Sequence, residues 1–198
     1  SSYQFSRVIR NTLVINFYSL LVGFPIPIVF ALLLNCVNHI RFKKTVQIVT
    51  YALHFISTVV IVSMLIQILS PKFGLINNFI KLFGGEEILF MATGSYFYSL
   101  FVWSGIWQSM GWSAIIYISA LSSIDPTLHE AAIVDGASRF RRILHVDIPG
   151  ILPTIIILLI LSAGSIMNVG FEKVFLMQNQ TNTEYSEVIS TLIYKTGI

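Results

Sequence analysis

The stretch ILFMATGSYFYSLFVWSGIWQSMGWSAIIYISALSSI, residues 88–124, contains no Asp, Glu, Lys, Arg or His. A helix crossing a hydrocarbon core of ~30 Å needs about 20 apolar residues. The stretch is therefore long enough for one crossing and too short for two. Three similar runs surround it: 11–40, interrupted only by His39, 45–71, interrupted only by His54, and 148–171, uninterrupted. Lipid offers no partner to a backbone N–H or C=O, so each crossing has to be helical. The alternating segments of about 10 residues that build an outer-membrane barrel are absent from these runs. The sequence predicts an all-α polytopic membrane protein over 1–198. Its spans are expected at about 11–36, 46–69, 97–121 and 151–171, with loops at 70–96 and 122–150.

Composition agrees. Hydrophobic residues make up 55% and charged residues 11%, and the mean hydropathy is +0.80. A soluble domain carries roughly 25% charge, so an ordinary cytosolic enzyme is excluded, and so is a disordered chain. The twelve Lys and Arg are too dispersed for a nucleic-acid face. The single Cys36 excludes an intrachain disulfide, and the four histidines never fall at ligand spacing, so no metal site is expected. No Gly-x-x-x-x-Gly-Lys-Ser/Thr motif is present for nucleotide binding. No Asp or Glu falls inside a predicted span, which argues against an intramembrane enzyme or a proton-coupled carrier. The first residue is Ser, no secretory signal follows, and Tyr194-Lys195-Thr196-Gly197-Ile198 reads as the approach to another segment. A fragment of a longer membrane chain is expected.

Orientation should follow the Lys/Arg bias. Arg41, Lys43, Lys44, Arg139, Arg141 and Arg142 fall on one side, and Arg7, Arg10, Lys72, Lys81, Lys173 and Lys195 on the other. The count is a tie, but the cluster after span one favours the first side as cytoplasmic. Gly23-Phe24-Pro25-Ile26-Pro27 predicts a kink in span one. Within 70–96, Leu75, Ile76, Phe79, Ile80 and Phe83 recur at helical spacing before Gly84-Gly85, as in a short interfacial helix.

Loop 122–150 is the least apolar part. Asp125-Pro126 is a helix start, Gly136 suits a left-handed turn, and Ser138 can cap a second short helix from Arg139 to about 146. Pro149 and Pro153 are expected to end that helix and begin span four. An ordered hydrophilic hairpin with adjacent alanines suits docking into another protein's groove.

Glu130-Ala131-Ala132, three residues, Gly136, nine residues, and Val146-Asp147-Ile148-Pro149 resemble the EAA motif of ABC-importer permeases. Asp147 is an unusual charge at the variable position, with a nearby arginine as its expected partner. The segment from Tyr117 through Asp125-Pro126 to Asp135-Gly136-Ala137 resembles the carbohydrate-uptake branch. Gly74-Leu75-Ile76-Asn77 and Asn168-Val169-Gly170-Phe171-Glu172 resemble its complex-oligosaccharide subgroup. Leu53 stands where that pattern has a proline before His54.

The resemblance implies a MetI-like permease core in a bacterial inner membrane, with about six spans in the family and spans two to five here. The loop with Glu130 would be cytoplasmic and both ends extracytoplasmic. The implied partners are two ATPase subunits carrying ATP and Mg, a second and different permease, and an extracellular solute-binding protein. This chain itself would bind no cofactor and catalyse no reaction. Glu130, Ala131, Ala132, Asp135, Gly136, Arg139 and Arg141 would couple to the ATPase. Trp103, Trp107, Tyr117, Asn168 and Glu172 are candidates for the path of a sugar or oligosaccharide. A permease for amino acids, peptides or metal chelates is the nearest rival.

Overall fold

The computed structural model describes residues 2–197. Among them every regular element is a helix: α1 (Ser2–Tyr18), α2 (Pro25–Asn35), α3 (Ile40–Ala52), α4 (Thr58–Ile68), α5 (Leu75–Leu82), α6 (Phe97–Ser122), α7 (Pro126–Val134), α8 (Arg139–Arg142), α9 (Ile148–Gly164), α10 (Phe171–Met177), α11 (Thr183–Ser186) and α12 (Ile189–Thr196). By length and composition, Gln4–Asn35 and Arg139–Gly164 can each cross a membrane, and the broken pair Ile40–Phe55 with Thr58–Ile68 makes a third if it is one span. α6 is a single helix of 26 residues, about 39 Å long at ~1.5 Å per residue. Its Ser, Gln and Trp residues make it less apolar than those helices. Such a composition suits a helix packed among others better than one facing lipid.

The breaks in these helices have local causes. In span one a π-helical stretch, Ser19–Gly23, precedes Pro25. Proline offers no N–H to the carbonyl one turn back, and a π-bulge absorbs the misfit. The second segment departs more from the expected 46–69. It begins at Ile40, tightens into a 3-10 turn at Leu53–Phe55, and restarts after Ser57. The Ser57 hydroxyl accepts the Val60 N–H at 3.4 Å and caps the new helix. The fourth segment corrects two boundaries. α8 does not stop before Pro149 but passes through a π-helical stretch, Ile143–Asp147, into α9, and that stretch absorbs the N–H missing at Pro149. α9 then ends at Gly164, not at 171. Residues 165–170 are turn and irregular chain, and α10 begins at Phe171. Gly164, Ser165 and Gly170 are weak helix formers in sequence, and the Ser165 hydroxyl turns back to the Ser162 carbonyl at 2.9 Å.

The chain gathers into two compact units. One holds the chain up to Leu20, Ile56–Trp107 and the chain from Ile166; the other holds Leu21–Phe55 and Gln108–Ser165. The first unit packs Ile15, Val62, Phe97, Val169, Val174, Met177 and Val188 together. The second packs Ala31, Leu32, Ala114, Tyr117, Leu121 and Ile151. In the second unit Gly111 lets α6 approach α3 closely: a Cβ there would lie 2.6 Å from Thr50 Cβ.

Asn11 ties the first unit together. Its amide donates to the Glu184 carbonyl (2.9 Å) and the Glu187 carbonyl (3.0 Å), and its oxygen accepts the Tyr98 hydroxyl (2.7 Å). The residue is fully buried. Nearby, Glu187 accepts Arg7 at 3.0 Å and Lys195 at 3.5 Å. Replacing Asn11 by Leu would take their side-chain donor from two carbonyls and its acceptor from the Tyr98 hydroxyl. At ~1–3 kcal/mol for each buried group left short of a partner, Asn11→Leu is expected to destabilise the first unit by about 3 kcal/mol or more. A thermal melt in detergent checks this, and a loss below about 1 kcal/mol would show that Asn11 is not the tie described.

Candidate functional site

The hairpin 125–149 is built by its caps. The Asp125 carboxylate accepts the Thr127 N–H at 3.0 Å, which starts α7 and holds the Asp125 carboxyl below the usual carboxylate range. Pro126 occupies the first helical position. At the far end Ala137 N–H reaches the Ala132 carbonyl (2.9 Å) and Gly136 N–H the Ile133 carbonyl (3.0 Å). With Gly136 at φ 73° this is a Schellman end. The Ser138 hydroxyl then caps α8 by accepting the Arg141 N–H at 3.4 Å. The two arms meet again at their bases, where His129 Nε2 lies 3.4 Å from the buried Asp147 Oδ1. Asp147 thus faces a histidine on α7 as well as the expected arginine, Arg142, whose charge also favours its carboxylate. A cavity of about 450 Å3 opens beside this pair, lined among others by Asn35, Asn38, Glu130 and Arg142.

The hairpin presents its residues outward. Glu130, Ala131, Asp135, Gly136, Arg139 and Arg141 are exposed, and Ala132 is half-buried. Apolar side chains are exposed with them, notably Val134 (87%) and Phe140 (68%). An exposed mixture of small, apolar and charged groups on an internally capped hairpin is chemically suited to be covered by another protein.

The expected path residues are scattered. Trp103 and Trp107 are exposed on α6, and Trp103 Nε1 donates to the Tyr18 hydroxyl at 3.1 Å. Tyr117 is only 3% exposed, inside the core of the second unit, away from any open surface of this chain. Asn168 is not on a helix at all but exposed in the break at 165–170, and Glu172 is exposed in the first turn of α10. Two features escaped the sequence. His54 stacks on Trp112 with ring centroids 4.7 Å apart, and Phe55 meets the same indole edge-on. Only the helix restart at Ser57 hints at that cluster. Lys173, counted in sequence as one flanking charge, points its ammonium at the Phe101 carbonyl, 3.0 Å away.

The family described as binding-protein-dependent transport system inner membrane component matches residues 9–181. The chain is 43% identical over 194 residues to the polygalacturonan/rhamnogalacturonan transport system permease protein YteP of Bacillus subtilis, covering 98% of this chain and 60% of that protein. It thus spans about three fifths of the length of that curated relative. Among solved structures, it resembles a chain of a bacterial ABC transporter involved in import of the acidic polysaccharide alginate. There the TM-score is 0.96 at 40% identity, with 100% of this chain and 69% of that chain covered. The same comparison with a bacterial alginate ABC transporter in complex with an alginate pentasaccharide-bound periplasmic protein gives a TM-score of 0.94 at 41% identity, covering 98% and 67%. The family match contains the whole hairpin and the motif that runs from Glu130 to Pro149. The chain belongs to the family of binding-protein-dependent transport system inner membrane components.

Proposed function

We propose that this chain is a permease subunit of an ATP-driven importer of a sugar or oligosaccharide. It forms part of the translocation path and performs no chemistry on the solute. The observation that carries the proposal is the outward-facing hairpin, capped at Asp125, turned at Gly136 and braced by His129 and Asp147. It is a rigid element built to be gripped. In this reading ATPase subunits bind it on the cytoplasmic side, and a second permease and an extracytoplasmic binding protein complete the transporter. ATP binding closes the ATPase pair, the gripped hairpins follow, and the spans switch access as rigid bodies. The names of the relatives, which specify polygalacturonan/rhamnogalacturonan and alginate, support a saccharide as the solute.

The test is uptake in proteoliposomes holding the assembled transporter and its binding protein. ATP-dependent accumulation of labelled oligosaccharide is expected. Accumulation of amino acids or peptides but not of saccharides would contradict the solute class, and uptake without ATP would contradict the mechanism.

Asn168 should line the path. Irregular backbone at membrane depth persists only against protein or water, and this break is exposed. Asn168→Cys, in a background without Cys36, is expected to react with a water-soluble maleimide at a rate that changes with ATP. No reaction in any nucleotide state would place Asn168 against lipid or in a closed interface.

A further inference from the structure

The first unit contains a half-buried cation that no acid among the described residues neutralises. Lys173 Nζ donates to the Phe101 carbonyl at 3.0 Å and lies 4.9 Å from the centre of the Phe101 ring. The acids of this unit are Glu86, Glu87, Glu172, Glu184 and Glu187. Glu87 is paired with Lys81 at 2.9 Å, and Glu187 with Arg7 and Lys195. Among the described residues none is paired with Lys173. An ammonium has three N–H groups, and one protein oxygen takes one of them.

The surroundings are shaped to the ammonium. One turn beyond Phe101 on α6 stands Gly105, and a Cβ there would come within 3.2 Å of Nζ. A glycine inside a helix costs roughly 0.5–1 kcal/mol relative to alanine, so its presence is consistent with room kept for the cation. Lys173 follows the break at 165–170 by three residues, and Asn168 and Gly170 in that break are exposed. In a membrane chain irregular backbone persists only against protein or water, and an ionisable group beside such a break marks a site.

We infer that Lys173, seated over Gly105 beside the 165–170 break, binds a carboxylate of the transported solute, so that the solute is an acidic, uronate-bearing oligosaccharide. The inference rests on the proposed importer function. A carboxylate would meet the unspent N–H groups as a charge-assisted hydrogen bond. The Phe101 ring and carbonyl hold the ammonium in place while it waits.

The experiment compares uptake of trigalacturonate and trimannuronate with uptake of their methyl esters, which keep rings and linkages and lose the charge. The assembled transporter in proteoliposomes is used, with basal ATPase recorded. Wild type is expected to prefer at least one uronate to its ester. Lys173→Gln is expected to shrink that preference by about tenfold or more with basal ATPase retained, and Lys173→Arg to keep it. If Lys173→Gln does not assemble, Gly105→Ala replaces it, since its methyl crowds Nζ, and the same loss of preference is expected. A preference unchanged in Lys173→Gln, or in Gly105→Ala where that variant stands in, would overturn the inference, as would a lysine serving only a lipid phosphate, which gives that same result. Wild-type uptake of esters in preference to uronates would overturn it alone. Uptake of no saccharide by wild type would overturn the importer reading and this inference with it.

Discussion

On the proposed docking, Gly136→Val is expected to strip the ATPase subunit from the purified chain. Gly136 sits at φ 73°, and a Cβ built there meets nothing within 4 Å. The cost of a side chain is therefore not crowding but backbone conformation alone. A β-branched residue in the left-handed region is a steric outlier, at ~1–3 kcal/mol. The turn relaxes that strain by giving up the Ala137–Ala132 and Gly136–Ile133 hydrogen bonds, and α7 and α8 lose their fixed angle. Retained ATPase should fall by about tenfold or more, with membrane insertion unchanged. Ala131→Ser, on an exposed face of the same helix, should stay within about twofold, because surface substitutions rarely exceed ±0.5 kcal/mol. Equal retention by the valine variant and wild type would show that the turn does not set the docking geometry.

Glu130→Lys should leave the transporter assembled but uncoupled. Glu130 is exposed on α7 beside the His129–Asp147 brace, so its removal disturbs no described hydrogen bond. On the proposed docking, reversing its charge sets a cation where a partner cation or donor is expected, and like charges across an interface cost several kcal/mol. Stimulation of ATP hydrolysis by solute-loaded binding protein should drop by about tenfold or more, with basal hydrolysis kept. Unchanged stimulation would remove Glu130 from the coupling contact.

The hairpin was the most legible part of the sequence, for a physical reason. Its structure is set by local chemistry: an Asp-Pro start, a glycine with positive φ and a Ser cap each act within four residues. The helical class was legible from the charge-free runs, because lipid leaves the backbone no other choice. The helix breaks were only half legible. Pro25 announced its own, but the restart at Ser57 depends on one hydroxyl, and Ser at such a position is equally at home inside a span. The run 148–171 carries no charge, so the sequence predicts a helix through Asn168. Hydropathy reports burial in lipid and is blind to a loss of helix at Gly164. Tyr117 shared a helical face with Trp103 and Trp107, and periodicity alone could not tell a packed tyrosine from an open one. Lys173 was counted as a flanking charge, because its carbonyl partner on Phe101 is 72 residues away and leaves no trace in local sequence.

The most direct test of the central claim is a disulfide trap between the hairpin and the ATPase. Ala131→Cys is introduced into the permease without Cys36, in the assembled transporter, against single cysteines placed around the groove of the ATPase subunit. Ala131 is exposed and its mutation touches no described side-chain contact. Oxidation is expected to join the two subunits, with a yield that changes on adding ATP, while a control cysteine at Phe83 on the loop 70–96 joins none. Capture of the ATPase by position 83 but not by 131 would contradict the coupling role of the hairpin and the orientation of the whole chain.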